Sequence, residues 1–186
     1  EGTRIGKYLV SANLCGHDSH GVQRVPRYLQ WKAEGQFIAD RTVQIVTETP
    51  VLTVVDGQYG FGQTVAPQTV EIGIKKAKAM GLSAIGLRNT GHIGRIGDWA
   101  EMATDAGLVS IHFVNVTGSV LVAPFGGVDR RFSTAPYCVA ATSFLTAFND
   151  RRLRHVGKRV VVVGRFYTSI AVATVSRTAR TDTPST

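Results

Sequence analysis

The stretch VLTVVDGQYGFGQTVAPQTVEIGIKKAKAMGLSAIGL, residues 51–87, decides the fold class. Val51 to Val55 is a β-branched run of the kind that lies in a sheet. Gly57, Gly60 and Gly62 supply a turn, and a long helix follows in which Ala66, Val70, Ile74 and Ala77 recur at i, i+4, i+8 and i+11. Lys75, Lys76 and Lys78 lie off that stripe, Gly81 stops the helix, and Ser83 to Leu87 reads as a buried strand. Strand, helix and strand in that order predict an α/β unit whose apolar stripe packs on the sheet. The glycines run Gly-x-x-Gly-x-Gly, not the Gly-x-Gly-x-x-Gly of a dinucleotide turn, and the next strand ends in Arg88 with no acidic residue to hold a ribose. They are expected to make a tight turn in a non-Rossmann fold.

Working outward, Arg4 to Leu14 and Val25 to Glu34 read as helices, the second with Pro26 in its first turn and Gly35 just past its end. They form a helical hairpin carrying the Cys15 to Gly21 loop. Val43 to Val46 is a strand, separated from the next by Thr49-Pro50. Asp98 to Ala106 is a helix ended by Gly107, and Leu108 to Val114 another strand. The expected fold is α/β, a mixed sheet with flanking helices and an N-terminal helical hairpin. Residues 1–42 make the helical segment and 43–140 the α/β core.

The 186 residues are 44% hydrophobic and 18% charged, enough apolar surface to offset the entropy of ordering one domain. Runs such as Val160 to Val163 fall far short of the ~20 residues that span a bilayer, so no membrane is expected as a partner. Two cysteines make no disulfide framework, which points to the cytoplasm. The net charge is +8, but residues 1–140 hold 13 Lys and Arg against 11 Asp and Glu, and residues 141–186 hold 8 against 2. The basicity belongs to the last quarter, which argues against nucleic acid as a partner of the core. There the texture changes: no helical stripe survives, and Ser176 to Thr186 is almost all Ser, Thr, Arg and Pro. Residues 141–186 are expected to be an atypical basic tail, disordered or altered in reading frame, with few contacts to the rest. A non-catalytic basic binding module is the alternative function this charge suggests.

The densest group of reactive side chains is Cys15-Gly16-His17-Asp18-Ser19-His20-Gly21, followed by Arg24 and Arg27. Cys, His and Asp are zinc ligands, but their spacing fits no closed zinc pattern. A Ser19–His20 nucleophile pair would need neighbouring side chains to converge, and they are expected to diverge. A polar loop in which Asp18 or Ser19 caps the next helix is a third reading. In the fourth, His20 donates a proton while Arg24 grips an anion. A second group, Thr90-Gly91-His92-Ile93-Gly94, leaves the Ser83 to Leu87 strand at its carboxyl end, where α/β proteins collect ligands. His112 reads as an ordinary strand residue.

Gly16 to Val22 with Arg24, Pro26 and Tyr28, then Asp56, Gly60 and Gly62, then His92 and Gly94, Pro124 to Gly127, and Thr134 with Pro136 together resemble the type 2 malate/L-lactate dehydrogenase family. The resemblance runs from about Arg4 to Val139. It implies a dimeric, NAD- or NADP-dependent oxidoreductase that interconverts 2-hydroxy acids and 2-keto acids. It makes His92 and His20 the catalytic candidates, with His92 favoured by position, and Arg24 and Ser19 the substrate-binding ones. Thr134 and Pro136 fall beside the cofactor; no metal is implied. The family's Thr-Asn-Pro is Thr134-Ala135-Pro136 here, which removes one polar contact. The family chain is longer at both ends, so a fragment with little affinity for NADH or NADPH is expected.

Overall fold

A computed structural model describes residues 1–116, 120–142, 159–165 and 172–175. Helix α1 (Gly2–Leu14) buries Leu9 and Ala12, and α2 (Val25–Ala33) carries Pro26 in its first turn, where a missing amide hydrogen costs nothing. Between them run two 3₁₀ turns, Asp18–His20 and Val22–Arg24. Neither Asp18 nor Ser19 caps α2. Asp18 instead accepts a hydrogen bond from Asn13 Nδ2, and Asn13 Oδ1 accepts the Val22 amide at 2.9 Å, so α1 ties down the loop. The hairpin packs through Leu9 and Tyr28 onto Phe37 and Phe61.

The remaining elements are β1 (Gln44–Glu48), β2 (Leu52–Gly60), α3 (Gly62–Met80), β3 (Leu82–Thr90), α4 (Ile96–Asp105), β4 (Val109–Phe113), β5 (Pro136–Thr142), β6 (Arg159–Arg165) and β7 (Val172–Val175). The strands join one sheet in the order β1-β2-β3-β7-β4-β5-β6. Among these pairs β2 and β3 run parallel and the others antiparallel, so the expected mixed α/β sheet is what the chain forms. On α3 the stripe is buried as its period requires. Ala66 and Val70 pack with Trp99 of α4, and Ala77 packs with Ala103 and Leu108.

The glycine turn is tight, as its spacing predicts. Gln58 and Tyr59 both take left-handed backbone, with φ of 51° and 56°. A side chain at Gly60 would lie 2.7 Å from Val65 and 2.9 Å from Arg41, so close packing requires glycine there.

One expectation needs correction. Residues 159–165 and 172–175 do not stand apart from the core: β6 pairs with β5 from Pro136↔Arg165 to Thr142↔Arg159, and β7 lies between β3 and β4. Composition misled because strand pairing is made by backbone donors and acceptors, which a basic, β-branched segment supplies as well as any other. Ser176 to Thr186 lies outside the described residues.

Candidate active site

The Gly21 and Gly91 loops bring the two histidine groups together. His20 and His92, 72 residues apart in sequence, stack with ring centroids 4.9 Å apart and planes 29° apart. His17 meets the other ring edge to face at 4.4 Å from His20. The hairpin supplies one imidazole and the exit of β3 the other.

His92 is held by its Nδ1. That atom lies 2.7 Å from the Tyr28 hydroxyl and accepts the Gly94 amide at 3.3 Å. The hydroxyl in turn accepts a hydrogen bond from Gln63 Nε2 at 2.8 Å, inside the buried first turn of α3. Burial pushes the Tyr28 phenol up to about 12, so at neutral pH it keeps its proton and can donate it to Nδ1. With Nδ1 an acceptor, the ring proton sits on Nε2.

Both imidazoles are neutral. Burial first, then the other histidine and Arg24, lowers His92 to about 3. For His20 burial again leads, with His17 and Arg24 behind it, and lowers it to about 4. An anion at this site would offset the Arg24 charge and so favour a protonated imidazole.

Arg24 uses Nε to donate to the Ser19 carbonyl at 2.5 Å, and among the described residues its two terminal nitrogens have no hydrogen-bond partner. That leaves a fork of donors for a carboxylate. Arg27, its neighbour by helical spacing, serves its own helix: it donates to Gln30 and stacks 5.5 Å over Trp31. Ser19 and His20 do not diverge as expected, because the 3₁₀ turn curls the Ser19 hydroxyl back to 2.9 Å from His20 Nδ1. Among the described residues no three His, Cys, Asp or Glu side chains are grouped to hold a metal.

Pro136 begins β5 and Thr134 lies two residues before it; among the described residues no hydrogen bond links either to the histidines. His112, as its strand position suggests, is buried with Nε2 2.9 Å from Ser110 Oγ. A cavity of about 290 Å³ opens beside Tyr28, lined by Ile5, Leu9, Leu29 and Phe61 but by neither histidine. The candidate site is the histidine pair. Sequence reasoning missed Gln63 as part of it, because the buried positions of α3 mix polar and apolar residues and the glutamine does not stand out among them.

Residues 1–146 match the malate/L-lactate dehydrogenase family. The chain belongs to that family. Hydroxycarboxylate dehydrogenase B of Escherichia coli is 44% identical over 139 residues, 75% of this chain and 38% of the relative. Malate dehydrogenase of Pyrococcus abyssi is 38% identical over 137 residues, 74% and 37% of the two chains. Among solved structures, a malate/lactate dehydrogenase from E. coli superposes with a TM-score of 0.76 at 38% identity, covering 87% of this chain and 42% of that one. The sulfolactate dehydrogenase of Methanocaldococcus jannaschii gives 0.73 at 29% identity, covering 87% and 43%. Malate/L-lactate dehydrogenase family members are enzymes, and this chain spans under two fifths of the curated relatives' length. Structural likeness reaches over more of the chain than sequence likeness does.

Proposed function

We propose that the chain carries the substrate-side half of a dehydrogenase that interconverts 2-hydroxy acids and 2-keto acids. The observation that carries this reading is the stacked His20–His92 pair with a half-free guanidinium beside it. The resemblance expects a nicotinamide cofactor, NAD or NADP, next to Thr134 and Pro136, in a cytoplasmic homodimer. When bound, that cofactor would supply the hydride for reduction of the keto acid and accept it in the reverse direction.

Arg24 binds the substrate carboxylate through its terminal nitrogens and so fixes the carbon bearing oxygen against the imidazoles. His92 presents Nε2–H to the carbonyl oxygen and supports the negative charge that grows there during reduction. His20, stacked on it, is the second proton-handling candidate. The bound carboxylate offsets the guanidinium charge, so protonation of the pair becomes easier as substrate arrives. The basic binding module has no observation in its favour. Among the described residues no helix is long and apolar enough to cross a membrane.

The test is a titration of the isotope-labelled chain with small 2-keto acids and, separately, with carboxylates of the same size lacking the keto group. Keto acids should shift the His20 and His92 ring resonances more than the plain carboxylates do, and Arg24→Ala should abolish both responses. Equal responses to the two sets, or none, would remove this reading.

A further inference from the structure

We propose that Gln63 is a positioning residue for the site: through the Tyr28 hydroxyl, its side-chain amide helps to hold the ring proton of His92 on Nε2. The inference rests on the reading of His92 as the proton-handling group and adds what sets its state.

Three hydrogen bonds share one direction. Gln63 Nε2 donates to Tyr28 Oη at 2.8 Å, which occupies an acceptor site on the phenol and turns its hydrogen toward His92 Nδ1, 2.7 Å away. The Gly94 amide, whose hydrogen cannot be relocated, also points at Nδ1, at 3.3 Å. The reverse arrangement, with Gln63 Oε1 receiving the phenol hydrogen, would place a proton on Nδ1 facing the Gly94 N–H, donor against donor. The Gly94 amide thus biases the ring toward Nε2–H, and the Gln63 amide, by orienting the phenol hydrogen, secures that form. A second observation shows that packing alone does not account for Gln63. Its side chain is fully buried, yet Oε1 has no hydrogen-bond partner, a cost that a leucine filling the same space would not carry. An amide held at that cost is held for its donor.

The consequence is directional. With the proton on Nε2, His92 faces substrate as a hydrogen-bond donor, suited to a carbonyl oxygen. A hydroxyl ready to lose its proton needs the other form, with a lone pair at Nε2.

Nitrogen-15 spectra of the His92 ring in the 186-residue chain read the tautomer directly and need no turnover. Wild type should show a single neutral form with the proton on Nε2. Gln63→Leu should let a measurable Nδ1–H population appear beside the Nε2–H form, which the Gly94 amide still favours. Gln63→Glu, whose ionised carboxylate can only accept from Tyr28, should shift the population toward Nδ1–H. If Gln63→Leu fails to fold, Tyr28→Phe gives the same reading, because it removes the transmitting hydroxyl. An unchanged single Nε2–H form in the folded variants, or an Nδ1–H form in wild type, overturns the proposal whatever the keto-acid titration shows. A tautomer that moves while keto acids fail to bind upholds the positioning role and sinks the proposed function.

Discussion

Gly62 and the carbonyl of His92 approach so closely that a methyl group on Gly62 would lie 2.4 Å from the His92 oxygen. The start of α3 is thus the wall against which the His92 loop is cast. Both partners are backbone, so neither can rotate away.

Gly62→Ala should therefore push the His92 loop off its position and cost about 1–3 kcal/mol, the usual range for overpacking. Gly6→Ala is the matching control: an alanine there meets nothing within 4 Å on helix α1 and should stabilise by roughly 0.5–1 kcal/mol. Urea unfolding of the two variants measures both, and equal effects would refute the contact.

Arg24→Lys should weaken 2-keto acid binding far more than it disturbs the fold, since an ammonium cannot replace a two-pronged guanidinium. It also gives up the donor to the Ser19 carbonyl. Calorimetry against a keto acid, with circular dichroism as the check on folding, is the measurement. Unchanged affinity would take Arg24 out of the site.

Acid should destabilise the protein through its buried histidines. Burial lowers His92 to about 3 and His20 and His112 to about 4 in the folded chain, against about 6.5 when unfolded. Below pH 6.5 the unfolded state binds protons that the folded state refuses, so stability falls with pH until the folded values are reached, and above 6.5 the term vanishes. His92 and His112 each contribute at most about 1.4 kcal/mol per pH unit inside their windows, and the more exposed His20 contributes less. Comparing unfolding midpoints of wild type and His112→Asn between pH 7.5 and 5 should give a shallower slope for the variant. Parallel slopes would contradict it.

Trp99 braces the same loop from the other side, with its indole nitrogen donating to the Ile93 carbonyl at 3.0 Å and its ring packed on Ala66 and Val70. Trp99→Phe keeps most of the packing and leaves that carbonyl without its donor, for an expected loss of roughly 1–3 kcal/mol. Hydrogen exchange of the Gly91–Gly94 amides should rise with it; an unaltered rate would mean that the loop is held elsewhere.

The fold was largely legible because its signals are local. The stripe from Ala66 to Ala77, the stop at Gly81 and the β-branched runs each declare their period within a dozen residues. His20, His92 and Arg24 were legible as candidates because polar, titratable groups between glycines stand out in a chain with few of them. Gln63 was not, because a glutamine at a helix start looks like any solvated residue until the hairpin closes over it. Nor was the place of β7 legible, since four residues of Val, Ala and Thr carry no information about which edge they will join. Ser19 and His20 failed for a third reason: the divergence of adjacent side chains assumes extended or helical backbone, and a 3₁₀ turn is neither.

The position of β7 sets an order of events for a chain that leaves the ribosome from its N-terminus. Strands β1 to β3 and β4 to β5 can each pair as they emerge, but β3 and β4 are not neighbours, and the sheet stays split until Val172–Val175 arrives to bridge them. Through that interval two unpaired strand edges face outward, a template for sticking to other nascent chains. Pairing Leu82 with Val175 closes a loop of more than ninety residues, which makes for slow final assembly. The helices and most of the candidate site are made early, and β7 sets the pace.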